Sequence, residues 1–417
     1  MSAAPLSFAA TRRACHVSYI VQAIVNNIAP LLFIVFHTRF SIPVEQLGGL
    51  AALNFGVQLL TDLAAMKLVD RVGYRRPMLL AHVMAVLGLA LLAVLPTLLP
   101  SAFAGLAVAV VVYAIGGGLL EVLVSPIVEH LPSPQEGKAT AMALLHSFYC
   151  WGQLAVVVVT TVLLGVFGQG LWSLAPLLWA VVPLANLFVL LRVPLPDTVP
   201  DEHRTPVRTL LGRPVFLFAL VAMMTGGAAE LTMSQWSSFF AEQGAGVSKA
   251  MGDLLGPGLF ALLMGIGRFS YGVWGQRLAL EKLLVGSSLG AALCYVIAAW
   301  AAVPVVSLLA CAGCGLFVSL LWPGTFSLTS ARFPLGGGAM FALLALAGDS
   351  GGTFGPWLAG ILASLTSGPL AWLSDRLPPD GDSGLRAALL LSAAVPLVFG
   401  LAVLQMRRDP VGAAVTQ

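Results

Sequence analysis

Charge is what this sequence has least of. Asp, Glu, Lys and Arg together make up only 9% of its 417 residues, where a water-soluble domain carries roughly 25%. So little charge cannot cover the surface of a cytosolic globule, and that class is excluded. Cysteine is scarce too: Cys15, Cys150, Cys294, Cys311 and Cys314 all lie inside apolar stretches. An odd number so placed is a poor disulfide framework. Cys311 and Cys314 have CxxC spacing, but no Cys or His partner lies nearby, so all five read as packing and no metal site is expected. The sequence also has no GxxxxGK[ST] phosphate loop, no HExxH pair and no Ser/His/Asp set at helical spacing, which argues against an ATP-driven machine or an enzyme and gives no reason to expect a cofactor. The formal charge of +3 is a small difference between 21 basic and 18 acidic residues spread thinly. No nucleic-acid surface follows from it.

What the chain has in plenty is apolar surface, at 59% hydrophobic residues. With roughly 20 apolar residues per membrane-crossing helix, twelve spans need about 240 residues and leave room for loops and one linker. Apolar runs bounded by charge or by Pro and Gly fall near 14–36, 46–66, 77–96, 102–128, 139–166 and 173–191. After a polar, Pro-rich segment from Arg192 to Arg213, six more fall near 214–240, 252–274, 281–300, 304–326, 339–365 and 385–406. The first 13 residues lead into no short apolar core with a small-residue cleavage site, so the first run is expected to be retained as a span.

Basic residues test this count, because loops rich in Lys and Arg stay on the cytoplasmic side. With both termini inside, 17 of the 21 Lys and Arg fall on that side, leaving Arg39, Lys249, Arg376 and Arg386 outside. The halves also echo each other. Gly116-Gly-Gly-Leu119, ending at Pro126, returns 197 residues later as Gly313-Cys-Gly-Leu316, ending at Pro323. Ala143-Leu-Leu145 with Gly152 returns as Ala342-Leu-Leu344 with Gly351, at an offset of 199. Two successive helices repeating at nearly one offset point to a fold built from repeated units. The expected domains are an N-terminal six-helix bundle (1–191), a cytoplasmic linker (192–213) and a C-terminal six-helix bundle (214–417).

The loop after the second span reads Asp70-Arg-Val-Gly73-Tyr-Arg75-Arg76. It resembles the signature loop between spans 2 and 3 of the major facilitator superfamily, matching at Asp70, Arg71, Gly73, Arg75 and Arg76, with Met66 in place of the family's leading glycine. The resemblance covers the whole chain. It implies an all-α membrane protein of twelve transmembrane helices in two pseudo-symmetric six-helix bundles, the major facilitator fold, with these loop residues latching the cytoplasmic ends of the halves. The matching turn in the second half, Gly275-Gln276-Arg277, has an amide in place of the acid. A narrower resemblance, to the fucose:proton symporter branch, rests on Gly118-Leu-Leu-Glu121 with Pro126, and on Gly315-Leu-Phe-Val-Ser-Leu-Leu-Trp-Pro323 with Phe326-Ser-Leu328. It maps that branch's span-4 acid, which takes part in proton-coupled sugar uptake, onto Glu121. The branch's span-1 acid has no counterpart, since Asn26-Asn27-Ile-Ala-Pro30 carries proline where it would fall.

A charged side chain at the bilayer centre costs about 2.5 to 3.5 kcal/mol even on the lenient insertion scale, so each one needs a partner, a cavity or a proton. The candidates are Asp62, Glu121, His146, Glu230, Arg268 and Asp349. Residues three, four and seven apart share a helix face. Tyr19, Gln22 and Asn26 therefore form one stripe, Asn54, Gln58, Thr61 and Asp62 a second, and His146, Tyr149 and Gln153 a third. These stripes read as cavity walls, with structural hydrogen bonding between helices as the plainer alternative for any one member. Burial penalises a carboxyl's charged form, so an acid in such a place can take up and release a proton. Glu121, Glu230, Asp349 and His146 are accordingly the expected proton-coupling residues, against a fixed ion pair or permanent protonation. Tyr19, Gln22, Asn26, Asn27, Tyr149, Gln153, Gln235, Trp236 and Trp322 are the expected solute ligands. Asp62 and Arg268, each eight residues before its turn, join Asp70, Arg71, Gly73, Arg75 and Arg76 as the expected cytoplasmic gate.

The expectation is an inner (plasma) membrane symporter that moves a small polar organic solute, a sugar by resemblance, together with protons by alternating access. Its partners are that solute, protons and the lipid bilayer, and the chain acts as a monomer. A proton-driven exporter of amphipathic compounds or lipids and a non-transporting receptor on the same fold are the alternatives. The outer segment from Ser367 to Arg386, with Trp372, Asp375 and Arg376, reads as a short lid helix or a plain connector.

Overall fold

The computed structural model describes residues 7–42, 44–131, 138–196, 205–245, 251–252, 254–275, 278–365, 371–378 and 383–408. Lys249, Gln276, Arg277 and parts of the 367–386 segment lie outside the described residues, as does the side chain of Asp70. Among the described residues the chain is helical, with no strand. Apolar sequence in hydrocarbon leaves the backbone no other way to satisfy its own hydrogen bonds short of a closed barrel.

The first apolar run gives α1 (Phe8–Leu31) and α2 (Phe33–Phe40), interrupted just after Pro30. Then follow α3 (Val44–Val72), α4 (Arg75–Leu98), α5 (Ala102–His130), α6 (Lys138–Phe167) and α7 (Leu174–Leu190). The short α8 (Val207–Leu211) precedes α9 (Pro214–Ala245). A π-helical turn, Leu254–Gly258, leads into α10 (Leu259–Trp274), followed by α11 (Leu280–Trp300). The tenth run is divided into α12 (Pro304–Val318) and α13 (Leu321–Arg332), and the eleventh is α14 (Gly337–Leu365). The chain continues through α15 (Ala371–Ser374), α16 (Ser383–Ser392) and α17 (Ala394–Arg408).

Eight stretches among the described residues are long and apolar enough to cross a bilayer: Arg75–Leu98, Ala102–His130, Lys138–Phe167, Pro214–Ser237, Leu254–Trp274, Leu280–Trp300, Val305–Arg332 and Ser383–Arg407. Helices α1, α3, α7 and α14 occupy the other four apolar runs. Leu177, Val181, Leu184 and Phe188 expose one continuous apolar face of α7, and Leu80, Leu87 and Val94 do the same on α4. In water such faces would drive aggregation; against lipid they cost nothing.

The described helices pack as two compact units. The first lies within Met1–Gln135, Phe148–Arg204 and Gly337–Leu343, and the second within Glu136–Ser147, Thr205–Gly336 and Leu344–Gln417. The start of α6 thus clusters with the second unit and the start of α14 with the first.

In the first unit α5 packs against α1, α3 and α4 and is buried on every side from Gly116 to Val128. A glycine inside a helix costs about 1 kcal/mol relative to alanine, so three in a row need a reason. At Gly118 the reason is contact: a Cβ there would stand 3.0 Å from the Gln58 Cα and 2.9 Å from the Thr61 Cβ, so α3 and α5 meet backbone to backbone. Between α3 and α4 the turn passes through Gly73 at φ +73°, a left-handed conformation that glycine adopts without strain. Arg75 then reaches the end of α7, donating to the carbonyls of Leu190 (2.9 Å) and Val193 (2.7 Å). A basic side chain there supplies donors that a helix C-terminus lacks. In the second unit Arg386, fully buried in α16, does the same for α11 through the carbonyls of Ala299 (3.1 Å) and Ala301 (2.8 Å). All five cysteines are buried.

Candidate functional site

Two buried polar networks stand out, one in each unit. In the first, the α1 stripe meets α3 and α5. Tyr19 Oη and Ser125 Oγ share a hydrogen bond of 2.8 Å. One turn along α1, Gln22 Nε2 donates to Glu121 Oε2. A further turn on, Asn26 Oδ1 accepts from both Asn54 Nδ2 (3.1 Å) and Gln58 Nε2 (2.7 Å). Positions 19, 22 and 26 lie on one face of α1, 54 and 58 on one face of α3, and 121 and 125 on one face of α5, which is how three helices bring seven polar side chains together. Gln22 and Glu121 are 1% and 7% exposed.

An amide both donates and accepts, and here the donors are engaged while two acceptors are spare. Gln22 Oε1 and Asn54 Oδ1 are buried and have no hydrogen-bond partner among the described residues. A buried acceptor left unmade costs about 1 to 3 kcal/mol, so a donor-bearing molecule would gain by filling that role. Chemically the network offers one carboxyl able to hold a proton, beside amide oxygens able to accept from hydroxyls.

The other expected residues of the first unit lie on the same and neighbouring helices. Asn27 donates to the Ala23 carbonyl of its own helix at 2.8 Å. Gln153 is buried and Tyr149 half-buried on α6, where Gly152 lets that helix close onto Ile20 and Ala23 of α1. Asp62 is fully buried on α3, one turn beyond Gln58. Arg71 and Arg76 are exposed.

In the second unit Glu230 of α9 pairs with Arg268 of α10 at 2.9 Å. The sequence grouped Arg268 with the gate and Glu230 with proton coupling, but the structure joins them. The same guanidinium donates from Nε to the Ser319 carbonyl (2.7 Å) and from Nη1 to the His146 carbonyl (3.2 Å). The His146 ring, itself buried, lies 5.9 Å from that of Phe326. Trp236 donates its indole N–H to the Pro356 carbonyl at 3.2 Å, while Gln235 is exposed. Trp322 is buried against Gly227 of α9 and Gly348 of α14, where a Cβ on Gly348 would come within 2.7 Å of the indole. Its Nε1 has no partner among the described residues. Asp349, next along α14, is buried.

A third polar cluster escaped sequence reasoning. Asn186 of α7 donates to His82 Nε2 (2.9 Å), to Ser18 Oγ (3.1 Å) and to the Ala14 carbonyl (3.1 Å), while His82 Nδ1 bonds the Met78 carbonyl at 2.9 Å. Its signal was present: a single His and a single Asn, each isolated in an otherwise apolar run, must find partners inside the membrane. Among the described residues no group of three or more His, Cys, Asp or Glu side chains is arranged to hold a metal ion.

Comparison with known proteins places this architecture. The crystal structure of the E. coli fucose:proton symporter superposes with a TM-score of 0.73 at 18% identity, covering 95% of this chain and 98% of that one. A proton:xylose symporter superposes with a TM-score of 0.78 at 13% identity, over 96% of this chain and 95% of that one. A human organic anion transporter does so with a TM-score of 0.65 at 15% identity, over 94% and 99%. At such identities the likeness is one of fold. No curated protein sequence matches the chain. The family model described as Major Facilitator Superfamily matches residues 15–356. With twelve apolar helical runs, the Asp70–Arg76 turn and this shared fold, the chain belongs to the major facilitator superfamily and is a transporter rather than an enzyme.

Proposed function

We propose that this transporter is a proton-coupled symporter of a small polar solute, a sugar first, working by alternating access in the inner (plasma) membrane with both termini cytoplasmic. The single observation that carries the reading is the buried Glu121 carboxyl, held by Gln22 among the amides of Asn26, Asn54 and Gln58. A carboxyl so enclosed exchanges a proton at lower cost than it carries a permanent charge. The spare oxygens of Gln22 and Asn54 suit the hydroxyl donors of a sugar. Glu121 is then the coupling residue. Glu230, paired with Arg268, contributes a fixed charge, and Asp349 and His146 are secondary candidates for proton movement. Residues 192–213 act as the linker between the two six-helix bundles, the turn Asp70–Arg76 as part of the gate, and the chain works as a monomer.

The test is proton movement itself. Purified chain in proteoliposomes is given fucose or xylose without buffer, and the external pH is followed. Symport predicts alkalinisation of the medium on sugar addition, abolished by a protonophore. A silent trace across a panel of sugars, together with sugar counterflow, would replace symport with passive exchange.

A further inference from the structure

A proline inside a helix cannot donate a hydrogen bond to the carbonyl four residues earlier. For Pro323 that carbonyl belongs to Ser319, and there the helical ladder is interrupted, α12 ending at Val318 and α13 beginning at Leu321. The gap is narrow, because Gly324 N–H already returns to the Leu320 carbonyl at 2.8 Å. The freed Ser319 carbonyl is taken by a side chain from another helix, Arg268, whose Nε donates to it at 2.7 Å.

A guanidinium is a rigid planar fork, so fixing one nitrogen aims the others. Nη2 is fixed by Glu230 at 2.9 Å and Nη1 by the His146 carbonyl at 3.2 Å. Arg268 is 2% exposed and Glu230 7%, so water does not loosen the grip. Just past the gap come Trp322, seated between Gly227 and Gly348, and, one turn further, Phe326 against the His146 ring. The direction in which α13 leaves the gap therefore decides where both aromatic rings stand.

We propose that Arg268 is the positioning residue of the tenth span: its Nε–H takes the place of the backbone donor that Pro323 lacks and, steadied by Glu230, sets the direction in which α13 presents Trp322 and Phe326. The clamp requires no particular cargo; it rests on the transport reading only in treating Trp322 as a solute-facing ring.

The test is amide hydrogen exchange on the full-length chain in lipid nanodiscs, with no solute added. Glu230→Gln combined with Arg268→Met removes the Nε donor without stranding a lone buried charge. Amides of Leu320–Gly324 are expected to exchange about tenfold faster, the equivalent of one hydrogen bond to a charged group. Adding Pro323→Ala gives position 323 an N–H for Ser319, and exchange should return to within about twofold of the Pro323→Ala protein alone, since the two donors serve the same acceptor. A general contribution of Arg268 to bundle stability would show no such rescue. No acceleration, or the same acceleration with and without Pro323→Ala, overturns the proposal. Arg268→Lys is the second variant, because it keeps Glu230 paired while its one nitrogen cannot stand in the three separate places from which Nε, Nη1 and Nη2 reach their acceptors. It should loosen Leu320–Gly324 and leave α9 around Glu230 unchanged; equal loosening of both overturns the positioning role. As no sugar is present, these outcomes are independent of the success or failure of the symport reading.

Discussion

On the symport reading proposed above, replacing Glu121 with Gln should separate coupling from binding. The two side chains have nearly the same shape, and Gln22 Nε2 can donate to the new amide oxygen as it does to the carboxylate. The change in stability should therefore stay within about 1 kcal/mol, the net value of a typical hydrogen bond. What is lost is the proton. On the proposed reading Glu121 carries one proton per solute. Moving one charge through 100 mV is worth about 2.3 kcal/mol. At about 1.4 kcal/mol per factor of ten, the wild-type chain should accumulate sugar to about 50 times the external concentration. The variant should stop at about equal concentrations while still exchanging labelled for unlabelled sugar. The assay is uptake of labelled fucose or xylose into proteoliposomes under a valinomycin-clamped potassium potential, with counterflow measured on the same preparation. If the variant reaches the wild-type plateau, Glu121 does not carry the coupled proton.

Further outcomes test the packing. Gly118→Leu places a side chain where a Cβ already meets the backbone of Gln58, and should lower the thermal midpoint by an amount corresponding to about 1 to 3 kcal/mol, read by fluorescence-detected unfolding. Asn186→Leu deprives His82 Nε2 of its 2.9 Å donor, and a loss of about 1 to 3 kcal/mol is expected by the same method; an unchanged midpoint would show that the cluster is not a staple. Arg386→Met leaves the Ala299 and Ala301 carbonyls without that donor, and faster amide exchange at the end of α11 should report it before any change appears near Glu121.

The sequence was most informative where the physics is local. Spacing along α1 put Tyr19, Gln22 and Asn26 on one face, and those three side chains bond across to α3 and α5. The Gly-rich pattern before Pro126 was legible only as a repeat and a resemblance; that Gly118 closes onto Gln58 is visible in the packed helices alone. Charge counting required a partner for Glu230 and for Arg268, yet nothing in their spacing of 38 residues identified each as the other's partner. Periodicity describes one helix at a time, whereas pairing depends on how helices are set side by side. The bond from Arg268 to Ser319 was hidden for a related reason. Proline marks which carbonyl goes unserved, but only the packed structure shows who serves it. The cluster of Ser18, His82 and Asn186 carries no formal charge to signal it, although a neutral imidazole or amide among leucines faces the same demand for a partner.

The five cysteines, spread over α1, α6, α11 and α12, are all buried. Enclosure of that kind keeps thiols away from water-borne maleimides. The natural chain is thus close to a silent background for fluorophores and spin labels. A single reporter thiol introduced at an exposed position such as Arg71 or Arg76 could be tagged selectively, and movements of the protein could be followed without first stripping out five residues that fill its interior.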